Sequence, residues 1–155
     1  MSLEVIIGNN QEATEIPECW LTTLESLAHL AASLALENAA VPDSPLLHLA
    51  TLEVALVDDA TSAQVHLDFM AIEGATDVIT FHHGEIVIGA EVAARQAQEY
   101  GEPLPREILR YFIHGLLHLA GHEDDTAEAR AVMDAAQEAI VSQLWTAELQ
   151  ARFSI

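Results

Sequence analysis

The sequence predicts an α+β domain, close to an α/β layout, in which a mixed sheet of about four strands is covered by helices. Three observations lead there. Short β-rich runs alternate with longer runs whose apolar residues recur at helical spacing. Gly, Pro, Asn and Asp clusters punctuate the boundaries between them. The length of 155 residues with 51% hydrophobic content suits a single domain, residues 1–155, with a sizeable core.

The elements follow in chain order. Leu3 to Gly8 reads as a short strand bounded by Gly8-Asn9-Asn10. Pro17 opens a long helix whose Trp20, Leu21, Leu24, Leu27, Leu30 and Ala31 form a core stripe. Val41 to Pro45 is a loop. Thr51 to Val57 alternates as a strand. Asp58 or Asp59 then caps a helix running through His66 to Met70, and Glu73-Gly74 marks a turn. Thr76 to Phe81 and Glu85 to Ile88 are strands separated by His82-His83-Gly84. Ala90 to Tyr100 is a helix ended by Gly101 and Pro103, and Pro105 starts the next, which continues to Leu119. Thr126 caps a last helix running to about Leu149. The predicted order is β-α-β-α-β-β-α-α-α, with no repeat and no low-complexity linker.

Charge and cysteine usage narrow the function classes. The single cysteine, Cys19, excludes an intramolecular disulfide and fits a reducing compartment. The start MSLEVIIGNNQ lacks a basic segment and a long apolar stretch, so it does not read as a signal peptide. The Leu/Ala-rich stretch Ser26 to Leu36 is too short and too interrupted to span a bilayer. A soluble cytoplasmic protein without a membrane partner is the expectation. The formal net charge is −20, and there is no lysine. The five basic residues are Arg95, Arg106, Arg110, Arg130 and Arg152. That balance opposes broad electrostatic binding to nucleic acid. Arg106 and Arg110 share a helical face ahead of His114, where they would touch phosphates or pair with acids such as Glu107.

The segment His-Gly-Leu-Leu-His-Leu-Ala-Gly-His-Glu-Asp, residues 114–124, carries the chemistry. His114 and His118 are four apart in an apolar helical run, so both imidazoles lie on one face and can address one ion. Gly121 is placed to end the helix in a left-handed turn. The chain then reverses and returns His122, Glu123, Asp124 and Asp125 towards the pair. Two imidazoles plus one further ligand, with a position left open, make a catalytic zinc site. The third ligand is Asp124 or His122. The spacing resembles that of the metzincin metal helix, but metzincin proteases carry Glu after the first His, and here that position is Gly115. The missing general base speaks against a protease.

HGLLHLAGHED also resembles the signature of the YbeY family of metal-dependent endoribonucleases, written HGxLHLxGYDH. The match is direct at His114, Gly115, Leu117, His118, Leu119 and Gly121. ATDVITF (Ala75 to Phe81), the stretch Gly84 to Gly101 and TLEVALVDD (Thr51 to Asp59) resemble three further family segments. The resemblance implies a zinc-dependent, single-strand-specific endoribonuclease acting in ribosomal RNA maturation and ribosome quality control. Its partners would be ribosomal RNA, the ribosomal particle and a ribosomal protein, not DNA. It implies one Zn2+ on His114, His118 and Asp124, which keeps the family spacing, and a metal-held water for attack on phosphorus. Glu85 and Glu123 are candidates to brace a ligand, and Glu85 to act as a base. His82 and His83 read as exposed turn residues.

Two positions depart from the family pattern. Asp124 stands where the family has its third metal histidine, and Met70 stands where it has an arginine thought to serve catalysis. Met70 and the acidic surface fit a second expectation, a metal-stabilised factor that docks on the ribosome or a protein without cutting RNA.

Overall fold

The computed structural model describes residues 3–154. Strand β1 (Glu4–Asn9) leads through helix α1 (Glu18–Glu37) and the short α2 (Pro45–His48) to β2 (Thr51–Val57). Helix α3 (Asp59–Met70) precedes β3 (Val78–Phe81) and β4 (Glu85–Gly89). The chain ends in α4 (Ala90–Tyr100), α5 (Leu104–Leu119), α6 (Ala127–Leu144) and α7 (Ala147–Phe153). The four strands form one sheet in the order β1-β2-β4-β3. β1 and β4 flank β2 in parallel, and β3 joins the outer side of β4 antiparallel, so the sheet is mixed as expected.

Strand alternation sends side chains to two faces. Leu52, Val54 and Leu56 of β2 and Ile86 and Ile88 of β4 are buried in the main core beside residues of α1 and α5. Val57, Ile79 and Val87 form a smaller cluster, with Val65 of α3 packed against it. This is one α+β domain. Helix α1 has the length and hydropathy to cross a membrane, but its Leu24, Ala28, Ala31 and Ala35 are buried in the core.

Caps set several boundaries. Asp58, rather than Asp59, is the N-cap of α3 and accepts from the Thr61 amide at 2.8 Å. Thr126 caps α6, accepting from the Ala129 amide at 3.0 Å.

Two elements differ from the sequence reading. The Val41–Pro45 loop gives way to helix α2, with Pro45 at its first position, where a missing amide proton costs nothing. The expected last helix breaks after Leu144: Trp145 has ψ 80°, and Thr146 caps a new helix by accepting from the Leu149 amide at 3.1 Å. Aromatic packing holds the turn. Trp145 stacks on Phe153 at 5.6 Å, and Trp20 meets the same ring edge-on at 6.1 Å while its indole donates to the Phe153 carbonyl at 2.8 Å. A straight helix would carry Phe153 away from both tryptophans.

Candidate metal centre

Helix α5 presents two faces. Ile108, Phe112, Ile113, Leu116 and Leu117 are fully or almost fully buried in the core. Glu107, Tyr111, His114 and His118 follow one another at helical spacing along an open cleft of about 770 Å³. Gly115 explains how close the helix lies to the sheet. A Cβ there would meet Ile86 Cδ1 at 2.7 Å. The position of a metzincin general base therefore points into the core, where a glutamate has no room.

The helix ends as the glycine foretold. Gly121 takes φ +96°; its amide donates to the His118 carbonyl and the His122 amide to the Leu117 carbonyl, both at 3.0 Å. This pair of bonds is a Schellman cap. It reverses the chain and delivers Asp124 to the histidines. His122 is turned elsewhere: it is buried, and its Nε2 bonds the Asn38 carbonyl at 2.6 Å. Of the two candidates, Asp124 is the one brought beside His114 and His118, and His122 anchors the loop to the residue that ends α1. Arg130 of α6 steadies the loop by donating to the Asp124 carbonyl at 3.2 Å.

His114 Nε2 and His118 Nε2 each lie 3.6 Å from Asp124 Oδ2. The three ligand atoms fall within 4.8 Å of one another. Tetrahedral zinc, with bonds of about 2.0–2.1 Å, spaces its ligand atoms about 3.4 Å apart, so the donor set and its spacing fit this ion. The other ring nitrogens are bonded behind the site. His118 Nδ1 lies 3.0 Å from the His122 carbonyl, which only accepts, so His118 carries its proton on Nδ1 and turns a lone pair to the cluster. Burial, and next the neighbouring His114, lower the His118 pKa, which keeps the ring neutral for a metal. His114 Nδ1 lies 2.8 Å from Gln137 Oε1 on α6.

The remaining predicted residues are distributed differently. Glu85 begins β4, bonds His83 at 3.2 Å and does not line the cleft. Glu123 is exposed and also outside the cleft walls. Neither carboxylate bonds His114 or His118; Gln137 and the His122 carbonyl do. Arg106 lies 3.8 Å from Glu102 and does not line the cleft. Arg110 does, but its charge is already met by Glu102, Glu107 and Glu138. Burial opposes the charge on Arg110, and the three carboxylates outweigh it and raise its pKa. Arg110 is thus a structural cation rather than a free phosphate ligand.

His82 lines the cleft, whereas its neighbour His83 stacks on Phe81. Met70 also lines the cleft. Residues 75–80 form another wall. Ser62 Oγ pins it to α3, donating to the Thr76 carbonyl at 3.0 Å and accepting from the Thr76 amide at 2.9 Å.

Sequence reasoning missed the contribution of α6. Arg130, Asp134 and Gln137 all line the cleft, and their spacing marks one helical face. That periodicity was present in the sequence, beside the core stripe of Met133, Ile140 and Leu144.

Comparison with known proteins agrees with this geometry. The family model described as Endoribonuclease YbeY matches residues 6–145. An endoribonuclease YbeY from Moorella thermoacetica is 33% identical, over 90% of this chain and 96% of the relative. One from Desulforamulus reducens is 32% identical, over 92% of this chain and 97% of the relative. A solution structure of a Thermotoga maritima protein superposes with a TM-score of 0.55 at 22% identity, covering 92% of this chain and 91% of that one, and so shares the fold. The histidine helix, its glycine cap and a match along nearly the whole chain lead to one conclusion: the chain belongs to the YbeY endoribonuclease family.

Proposed function

We propose that the protein is a zinc-dependent endoribonuclease that cuts single-stranded ribosomal RNA during maturation and quality control of the ribosome. The observation that carries the reading is the cluster of His114, His118 and Asp124, three ligand atoms within 4.8 Å on the wall of an open cleft. His114, His118 and Asp124 would hold the ion. Bound zinc supplies Lewis-acid polarisation of water and of a phosphoryl oxygen.

The chain's own residues do the rest. The cleft of about 770 Å³ holds the cluster between walls that include residues of β3 and α6. Burial, followed by the adjacent Glu107, raises the pKa of the Tyr111 hydroxyl, so it stays protonated in the cleft. Arg130 lines the cleft, and no carboxylate pairs with it among the described residues. It is the guanidinium best placed to meet a phosphate in the absence of the family arginine. RNA would otherwise meet a chain of net charge −20.

The test is cleavage of single-stranded ribosomal RNA by zinc-loaded native protein beside His118→Ala and Arg130→Ala. Cleavage by the native protein, its loss in His118→Ala and a reduced rate in Arg130→Ala are expected. Full zinc retention by His118→Ala sinks the ligand assignment.

Met70 in the cleft favours a second reading, a metal-stabilised factor that docks on the ribosome or a protein without cutting. Absence of cleavage in the native protein, with measurable gain in Met70→Arg, supports it.

A further inference from the structure

We infer that Glu138, acting through Gln137, fixes which nitrogen of His114 carries the proton, and that the pair positions His114 for a metal. The inference rests on the metal reading only for its purpose; the tautomer itself is a property of the metal-free chain.

The argument is one of donors and acceptors. His114 Nδ1 is 2.8 Å from the Gln137 side chain, and an amide can face an imidazole with either its oxygen or its NH2. Gln137 alone therefore fixes nothing. Its other end settles the matter, because Gln137 Nε2 lies 3.0 Å from Glu138 Oε2. An ionised carboxylate only accepts, so Gln137 must turn its NH2 to Glu138 and its oxygen to His114. His114 must then donate from Nδ1, which leaves the lone pair on Nε2 facing Asp124 and His118.

Glu138 is held in place by Arg110, whose Nε and terminal nitrogen lie 2.8 and 3.0 Å from its two oxygens. Arg110 is in turn gripped by Glu102 and Glu107. The ion cluster at the end of the cleft thus reaches the metal ligand through a single amide.

The lock opposes a pull in the other direction. Asp124 Oδ2 is 3.6 Å from His114 Nε2, and a carboxylate beside a ring nitrogen favours a proton there. A proton on Nε2 would block the ligand position. His118 needs no such relay, because its Nδ1 faces a backbone carbonyl, which cannot reverse.

The test uses the full-length, metal-free protein with both rings neutral, and reads imidazole tautomers from two-bond 15N–1H correlations. Native protein is expected to show His114 and His118 as Nδ1–H. Glu138→Ala frees the amide to turn and should give His114 a clear Nε2–H population, while His118 stays unchanged as the internal control for folding. Gln137→Glu in the Glu138→Ala background restores an acceptor that cannot reverse, and should return His114 to Nδ1–H. Zinc affinity by chelator competition should fall about tenfold in Glu138→Ala and recover in the double variant. An unchanged His114 tautomer in Glu138→Ala, or no recovery in the double variant, overturns the inference. Tautomers that follow the variants in a protein that binds no zinc would uphold the lock and remove the metal reading.

Discussion

Gly115 and Arg110 show how single residues on α5 set the limits of the site. At Gly115 a methyl group would lie 2.7–3.0 Å from three atoms of Ile86. Gly115→Ala is therefore expected to lower stability by about 1–3 kcal/mol through overpacking, read as a lower urea midpoint. Ile86→Val in the same chain removes the nearest atom and should recover part of the loss; no recovery would show that the glycine is needed for another reason. Arg110 governs the response to acid. Its hydrogen bond holds Glu102 below the usual carboxylate range. For Glu138, burial pushes the other way, and the bonds from Arg110 and Gln137 outweigh it. Carboxyls with depressed folded values add stability above the ordinary value of 4.5 and lose it as pH falls through the folded value. Arg110→Met should be less stable than native at neutral pH, with the gap closing as pH drops below about 4.5. Denaturant midpoints at neutral and acid pH check this, and a gap that stays constant would contradict it.

At the scale of elements, α3 ends under strain. Ala71 adopts φ 55°, the left-handed region, as the cap of that helix. Ala71→Gly is expected to stabilise by about 1 kcal/mol, less the extra freedom glycine gives the unfolded chain. The melting temperature should rise by roughly 2–4 °C, and a fall would mean that the Ala71 methyl makes a contact worth more than the strain. The same helix shows what a sequence makes legible. Its start was written in the Asp58-Asp59 pair and its end ahead of the Glu73-Gly74 turn, because caps and turn residues are local chemistry. The metal helix was legible on the same terms, through His114, His118 and Gly121. What stayed hidden depends on distant partners. The turn at Trp145 exists because Phe153 must reach Trp20, which lies on the first helix. Gln137 reads as one more polar residue until α6 is laid beside His114. Family spacing favoured Asp124 over His122, but the bond that holds His122 away, to the Asn38 carbonyl, could not be read from the sequence.

Across the whole molecule, charge is the dominant feature. With a net charge of −20 and no lysine, like-charge repulsion works against the compact state. Raising salt from about 0.01 to about 1 M shortens the screening length from roughly 30 to roughly 3 Å. The melting temperature should rise across that range, and RNA affinity should lack the steep loss with salt seen in basic RNA binders. A strongly negative salt slope would require a cationic face that the five arginines do not form. The sheet order has a consequence for the history of each newly made chain. β1 gains its ladder only after α1 and α2 have been traversed, since Glu4 pairs with Thr51, and such non-local pairing must first overcome the entropy of closing a long loop. His114, His118, Asp124 and Gln137 all lie on a single α5–α6 hairpin, whose two helices pack on each other across a short connection. During folding, the ligand cluster can thus form without waiting for the outer strand, and an ion captured at that stage would act as a folding template before it ever served as a reagent.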